Sequence, residues 1–217
     1  MLPLFIDNHL LALDKPGGLL TQPSGTEDDS LEEQARLFIK TTFGKPGNVF
    51  LEAVHRIDKP ACGIVLFART SKALARLNAS MRQRLCKKAY RAILEHTPDI
   101  RNGTLTDWLV HDDFHASVVP SGTENARLCS LDYSVVRELG DGRCLVEIDL
   151  TTGRYHQIRA QFSHLRCPIV GDVKYGAATT LQHGAIALQH FRLTTPHPTR
   201  DEHVTIESRI DLLGLLH

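Results

Sequence analysis

Two segments in the second half of the chain alternate between apolar and polar residues with period two. They are SLDYSVVREL (130–139) and RCLVEIDLT (143–151), and GDG lies between them. Alternation of this kind predicts half-buried strands, and the glycine-rich link predicts a hairpin. A second hairpin is predicted in LFIDNHLLALDKPGG, where residues 4–6 and 10–13 flank Asp7-Asn8 and the Lys-Pro-Gly-Gly run ends the second strand.

Shorter apolar runs predict four more strands: IVLFA (64–68), AYRAILE (89–95), AIALQHFRL (185–193) and HVTIES (203–208). Three segments have helical spacing. One, at 30–40, opens with a capping box formed by Ser30 and Glu33. The second begins with Ser71 as its cap and repeats Leu74, Leu77, Met81 and Leu85 on one face; the third, at 154–165, repeats Ile158, Phe162 and Leu165. Strands and helices mixed in this order predict an α+β fold with a mainly antiparallel mixed sheet, and we expect one domain of two lobes over 1–217.

Composition narrows the function classes. No apolar run approaches the ~20 residues that span a bilayer, and the start of the chain lacks the basic region of a signal peptide. Five scattered cysteines, with no C-x-x-C pair, argue against a disulfide framework or a zinc ribbon. We therefore expect a cytoplasmic protein without membrane association.

Charge is unevenly distributed although the formal net charge is zero. Residues 59–94 hold nine Lys or Arg and no acid, residues 151–171 also lack acids, and acids cluster in TEDDSLEE (26–33). A neutral protein with a basic face can bind a polyanion. The alternative, a solvated helix face, is equally compatible with the charges alone.

Three polar segments lie where predicted elements begin or end: HRIDKPACG (55–63), KKAYRA (87–92) and TGRYHQIR (152–159). In the first, one carboxylate, Asp58, stands among His55, Arg56 and Lys59. An exposed ion pair there would contribute only ~0–1 kcal/mol. The other interpretation is a reactive carboxylate that a cationic pocket keeps ionised.

The same segments resemble the RluA-type RNA pseudouridine synthases over nearly the whole chain. HRIDKPACG resembles the family's His-Arg-Leu-Asp-Lys and Thr-Ser-Gly motif, and KKAYRAI its Lys-x-Tyr motif. TGRYHQIR and GDVKYG resemble its Gly-Arg-Thr-His-Gln-Ile-Arg and Gly-Asp-x-x-Tyr-Gly pair, while IDNHLLALDKPGGLLTQP and IALQHFRLTTPHP resemble the opening hairpin and the late strand. Five motifs in the family's order make a specific signal.

The resemblance implies a pseudouridine synthase fold with a central cleft and the conversion of uridine to pseudouridine in RNA without a cofactor or metal. It implies that Asp58 is the essential catalytic residue, that Tyr90 packs on the flipped base and can move a proton, and that Arg159 pairs with Asp58. It also implies a set of RNA-binding residues, with ribosomal or transfer RNA as the partner and a monomer as the default state. These residues are His55, Arg56, Lys88, Arg154, His156 and Gln157.

Some positions depart from the family's pattern. Ala61-Cys62 replaces Thr-Ser, Tyr155 replaces Thr, and we expect no separate N-terminal RNA-binding domain of the S4 type. Cys62 is a weak candidate nucleophile because it stands at the head of an apolar strand. Two functions of other classes stay open: a non-catalytic RNA-binding module with the same fold, and a metal-dependent hydrolase that uses the histidines of HDDFH (111–115).

Overall fold

The computed structural model describes residues 1–25 and 29–216. The chain forms two compact units. The first comprises Met1–Lys88 and His190–Ile210, and the second comprises Ala89–Gln189 and the C-terminal segment that starts at Asp211. In the acidic segment TEDDSLEE, residues 26–28 lie outside the described residues. The expected single domain over the whole chain stays a prediction.

The first unit contains a sheet in the order β1-β2-β4-β10, with β3 paired to β4 and β11 paired to β10. The pairings β1–β2, β2–β4, β3–β4 and β10–β11 are antiparallel. The bounds are β1 Phe5–Ile6, β2 Leu10–Lys15, β3 Glu52–Ala53, β4 Cys62–Ala68, β10 Leu188–Pro196 and β11 His203–Glu207. The opening hairpin and the strands at 64–68, 185–193 and 203–208 are confirmed, with shifted ends.

Both faces of the β2–β4 pair are covered, which explains why these strands are continuously apolar. One face, with Leu10, Ile64 and Leu66, packs with Ala73 and Leu77 of helix α2 (Ser71–Arg82). The opposite face, which includes Leu11, Leu13, Val65 and Phe67, packs with Leu31, Ala35 and Ile39 of helix α1 (Leu31–Thr42). Successive strand residues point to opposite faces, so each strand supplies both cores.

The helix ends refine two predictions. Ser30 caps α1 as expected, its hydroxyl accepting from Glu33 N at 3.3 Å. Helix α2 is capped by Thr70 rather than Ser71, because the Thr70 hydroxyl accepts from Ala73 N at 3.1 Å. It ends earlier than expected: Arg84 adopts φ 58°, and Leu85 N donates to Ser80 O in a Schellman-type turn. Leu85 therefore lies beyond the helix and is half exposed.

The second unit contains strands in the order β5-β9-β8-β6-β7, all paired antiparallel. Their bounds are β5 Lys87–Leu94, β6 Asn102–His111, β7 Ala116–Val119, β8 Arg127–Glu138 and β9 Cys144–Leu150. The predicted β8–β9 hairpin is confirmed. Helix α3 (Gln157–His164) packs through Ala160 against Leu109, Ala116 and Tyr175.

The hairpin β6–β7 was not predicted. Only one residue of strand β6 is buried, so the alternation that marks a half-buried strand is weak in NGTLTDWLVH. The α+β class is confirmed, with three α-helices in the parts of the chain that are described. Among the described helices, none combines the length and the apolar character needed to cross a membrane.

Candidate active site

Asp58 lies in a turn of the first unit that is fixed by hydrogen bonds to its backbone. Its carbonyl accepts from Ala61 N at 3.1 Å, and the next carbonyl, of Lys59, accepts from Gly18 N at 2.8 Å. One residue earlier, Ile57 O accepts from the hydroxyl of Thr21 at 3.1 Å. The side chain of Asp58 is half-buried, whereas those of Arg56 and Lys59 are exposed. The loop after β2 therefore fixes the backbone on both sides of the carboxylate.

Lys15 is the buried cation beneath this turn. Its side chain is completely buried, and its ammonium donates to Pro16 O at 2.9 Å, Leu19 O at 2.6 Å and Lys59 O at 3.0 Å. Burial lowers the pKa of Lys15 to about 8, although the groups of Cys62 and Asp58 oppose that shift. Three carbonyls satisfy all three donors of an ammonium group, so Lys15 ties the loop at 16–19 to the Asp58 turn.

Cys62 and Gly63 open β4 directly after the turn. The thiol of Cys62 is buried, and burial raises its pKa to about 12, which makes it an inert packing group rather than a nucleophile. Gly63 has φ +107°, and a Cβ at this position would lie 2.4 Å from the carbonyl oxygen of His190. The glycine of the Pro-Ala-Cys-Gly sequence thus permits a close backbone approach that a residue with a Cβ could not make.

His55 points into its unit. Its imidazole Nε2 accepts from Leu66 N at 3.3 Å, and its ring meets that of His190 edge-on, with centroids 5.1 Å apart. His190 Nδ1 donates to Ile64 O at 2.7 Å. Burial lowers the pKa of both imidazoles, well below the usual range for His55 and to about 3 for His190, and the Lys88 ammonium adds to each shift. Burial also lowers the pKa of Lys88, which is half-buried on β5.

In the second unit, Arg159 binds Asp172 with two hydrogen bonds. Nε donates to Oδ2 at 2.7 Å and Nη2 donates to Oδ1 at 2.8 Å, and both side chains are almost fully buried. The guanidinium also lies over the ring of Tyr175, 4.7 Å from its centroid. A planar guanidinium held by a bidentate carboxylate has one fixed orientation.

His156 connects Arg159 to Tyr175. Arg159 Nη1 donates to His156 Nε2 at 2.9 Å, so the imidazole proton is on Nδ1, which donates to the Tyr175 hydroxyl at 2.8 Å. That hydroxyl also accepts from Ala116 N at 2.8 Å. Burial, together with the Arg159 and Lys174 cations, lowers the pKa of His156 to about 3. His156 is therefore a neutral acceptor that completes the guanidinium cluster.

Gln157 organises the strand-to-helix turn before α3. Its Oε1 accepts from the hydroxyl of Thr152 at 2.8 Å and from Arg154 N at 3.1 Å, while its Nε2 donates to Ser130 O and Gln161 Oε1 at 3.1 and 3.0 Å. The buried amide thus has protein partners at all four positions, and its expected RNA contact would require exchange of one of these bonds. Arg154 is exposed, and its Nε donates to Leu128 O at 3.4 Å.

The described contacts therefore build two clusters from predicted residues, the Asp58 turn and the Arg159 cluster. Tyr90 is buried on β5, opposite Ile148 of β9. The pairing of Arg159 with Asp58 stays a prediction, as do the individual RNA contacts. The sequence analysis did not identify Lys15, Asp172 or Tyr175 as site residues. The sequence gives only weak signals for them: a lysine at the end of an apolar strand, and an Asp and a Tyr within one short turn, GDVKYG.

HDDFH, the alternative metal motif, is the turn between β6 and β7. The Asp112 carboxylate accepts from Phe114 N at 2.8 Å and from His115 N at 2.6 Å, so it serves the turn itself. Across residues 1–25 and 29–216, no group of three or more His, Cys, Asp or Glu side chains could hold a metal ion.

A family model, curated proteins and solved structures all match this chain. The family model for RNA pseudouridylate synthase matches residues 9–164. The chain is 31% identical over 208 residues to the uncharacterized RNA pseudouridine synthase YhcT of Bacillus subtilis, covering 94% of this chain and 67% of that protein. It is 31% identical over 185 residues to the ribosomal large subunit pseudouridine synthase D of Xanthomonas campestris, covering 84% of this chain but only 54% of that protein.

A third relative, the ribosomal large subunit pseudouridine synthase C of Rickettsia conorii, is 29% identical, with 80% of this chain and 55% of that protein covered. The chain thus spans little more than half of these two ribosomal relatives. Among solved structures, human RNA Pseudouridylate Synthase Domain Containing 4 superposes with a TM-score of 0.82 at 24% identity, covering 99% of this chain and 91% of that one, which shows a shared fold. The family match spans both the Asp58 turn and Arg159, and the chain belongs to the RNA pseudouridylate synthase family.

Proposed function

We propose that this chain isomerises uridine to pseudouridine in RNA, without a cofactor, and that Asp58 is its catalytic carboxylate. The observation that supports this most strongly is a family match that spans the HRID segment, combined with the backbone-anchored turn that carries Asp58. We further propose that it is a monomer and that it acts in the cytoplasm. The second proposal is supported by its five cysteines, which are all free, as suits a reducing compartment.

The reaction breaks the C1′–N1 bond, turns the uracil and joins C5 to C1′. The proton on C5 is lost and N1 regains one, so the atoms balance without an oxidant, reductant or second substrate. Negative charge develops on the departing base and positive charge on the sugar. A carboxylate beside C1′ can stabilise or trap that sugar, and a cation near the base can stabilise the departing anion.

Asp58 is suited to the first role because its turn cannot move freely. The carbonyls on both sides of it are held, and the buried ammonium of Lys15 is close enough to interact with its charge. In the proposed reaction Asp58 either adds to C1′ or removes a proton from the sugar, and both routes need a carboxylate group at this position.

Arg159 is proposed to pair with Asp58 and so fix its rotamer. The contacts with Asp172 and His156 fix the plane of its guanidinium. A guanidinium with a fixed plane can bind a carboxylate with little loss of side-chain entropy. Tyr90 is proposed to stack on the flipped uracil, where stacking contributes ~1–3 kcal/mol per base and offsets the cost of leaving the RNA stack.

The RNA contacts are proposed to come from exposed Arg56 and Arg154, half-buried Lys88, and the polar groups of His55, His156 and Gln157. Two relatives are named as ribosomal large subunit synthases, so we propose large-subunit ribosomal RNA as the first substrate to test, with transfer RNA second.

The first prediction concerns Asp58→Asn, which keeps the shape of the side chain and removes its charge. Pseudouridine formation should fall by at least ~100-fold while RNA binding persists, because the amide can neither add to C1′ nor accept a sugar proton. Pseudouridine would be mapped in transcribed large-subunit ribosomal RNA and in transfer RNA after incubation with each protein. Asp201→Asn, which alters an exposed acid, is the matched control.

The outcomes separate the alternatives. Equal turnover by Asp58→Asn and the unmodified chain would remove Asp58 from the chemistry. RNA binding without any pseudouridine from the unmodified chain would favour a non-catalytic module. Loss of all activity in a chelator would favour metal-dependent chemistry, whereas activity that survives the chelator excludes a metal requirement.

A further inference from the structure

Two large aromatic rings in the second unit are exposed on neighbouring loops beside the Arg159 cluster. Phe114, in the β6–β7 turn, is 72% exposed, and Tyr155, just before α3, is 41% exposed. Their positions are linked by the two histidines that flank the turn. His111 lies 5.4 Å from the Tyr155 ring, and His115 stacks on Tyr175 at 4.4 Å, both measured between centroids.

The orientation of the Tyr155 ring is fixed by stacking. It stacks on His156 with centroids 3.8 Å apart and an angle of 18° between the planes. His156 is itself fixed by Arg159 and the Tyr175 hydroxyl. A continuous set of contacts therefore runs from the buried guanidinium to an exposed phenol, and an aromatic surface that is already ordered loses little entropy when a flat ligand stacks on it.

Cationic side chains lie near these rings in space or in sequence. The Lys174 ammonium lies 5.9 Å from the centroid of the Phe114 ring, and Arg154 is exposed one residue before Tyr155. Acids are also present: the Asp112 carboxylate is turned onto the backbone of its own turn, and Asp113 is exposed. Aromatic faces combined with lysine and arginine are the usual platform for unpaired nucleotides, which offer a base to stack and a phosphate to pair.

We infer that Phe114 and Tyr155 form a stacking subsite for an unpaired nucleotide of the RNA that flanks the target uridine. This inference rests on the proposed function, because it assumes that the bound macromolecule is RNA. The rings bind the bases through their faces, while Lys174 and Arg154 interact with the phosphates. Asp113 opposes the phosphates, so its removal should strengthen binding.

The test compares a ten-nucleotide oligouridylate with an abasic ribose-phosphate chain of the same length, each fluorescently labelled and titrated by anisotropy. All proteins carry Asp58→Asn so that turnover cannot interfere. The combined substitution Phe114→Ala and Tyr155→Ala should reduce the preference for the oligouridylate by about 5- to 150-fold for each stacked base lost. Affinity for the abasic chain should stay the same.

Conservative variants keep the test independent of folding. Tyr155→Phe and Phe114→Tyr should retain the preference, and thermal unfolding should show that the alanine variant is folded. Phe50→Ala is the matched control, because Phe50 is exposed to a similar degree, 40%, in the other unit. Asp113→Asn should raise the affinity for both probes.

If the folded alanine variant kept its preference for the oligouridylate over the abasic chain, the subsite would be overturned. A protein partner would then be the next candidate to contact these rings. An equal loss for both probes would also overturn it, because that result means that the rings only shape a phosphate-binding surface. Pseudouridine formation is read separately in the unmodified chain, so a failure of the proposed function and a failure of this subsite give different results.

Discussion

Two buried imidazoles make the stability of this protein sensitive to acid. Burial lowers the pKa of His190 to about 3 and lowers that of His55 well below its usual range, whereas an unfolded histidine titrates near 6.5. Between those values the unfolded chain binds more protons than the folded chain, so stability is lost as pH falls from about 6.5 toward 3. Each such histidine adds up to about 1.4 kcal/mol per pH unit to this dependence.

His190→Asn should therefore flatten the dependence. The Asn amide can still donate to Ile64 O, in place of His190 Nδ1, but it does not titrate. The free energy of unfolding in urea would be measured at pH 7 and pH 5 for both proteins, with His203→Asn at an exposed position as the control for loss of an imidazole. A slope that is unchanged in His190→Asn would show that His190 binds protons equally in the folded and unfolded chains, which would contradict the lowered pKa.

At this scale the sequence identifies candidate reactive groups but not their partners. Asp58 and Arg159 stand out because a short motif surrounds each. The pairing of Arg159 with Asp172 could not be predicted, since the two lie thirteen positions apart, one within α3 and the other beyond its end. The burial of Lys15 depends on a carbonyl forty-four residues away, and no local pattern reports that contact.

Strand β4 depends on one glycine at its beginning. Gly63→Ala should destabilise the protein by roughly 2–4 kcal/mol, because φ +107° is strained for alanine and the new Cβ would lie 2.4 Å from a backbone oxygen. Gly47→Ala is the control: it has nothing within 4 Å of the added Cβ, and its φ lies outside the strained region. Urea unfolding of both variants tests this, and equal stabilities would contradict the close approach of β4 to His190.

Elements with a strong pattern were predicted well and the others were not. Continuous apolar runs and clear alternation identified β2, β4, β8, β9 and β10, because burial on a defined face selects those residues. Strand β6 pairs with β7 and β8 but buries only one residue, so its sequence shows little of the pattern that burial selects. The end of α2 depends on Arg84 in the left-handed region, which few sequence rules anticipate for arginine.

For the molecule as a whole, the decisive electrostatic quantity is the distribution of charge rather than its sum. The formal net charge is zero, yet Arg82, Arg84 and Lys87 are all exposed in or just after the end of α2, within a stretch that lacks acids. We predict that RNA binding is nevertheless salt-sensitive, because each phosphate that a protein cation neutralises releases counterions. Each such contact steepens the fall of log affinity with log salt by about 0.7–0.9.

Replacing Arg82, Arg84 and Lys87 with Ala should weaken RNA binding and flatten that salt dependence by up to roughly two to three. The control removes the same three charges at Arg101, Arg137 and Arg143, two of which form ion pairs with nearby acids. If net charge governed binding, both triple variants would lose affinity equally. If α2 only presented a solvated face, the first variant would bind as the unmodified chain does, and the RNA path would have to lie elsewhere, with the role of Asp58 unaffected.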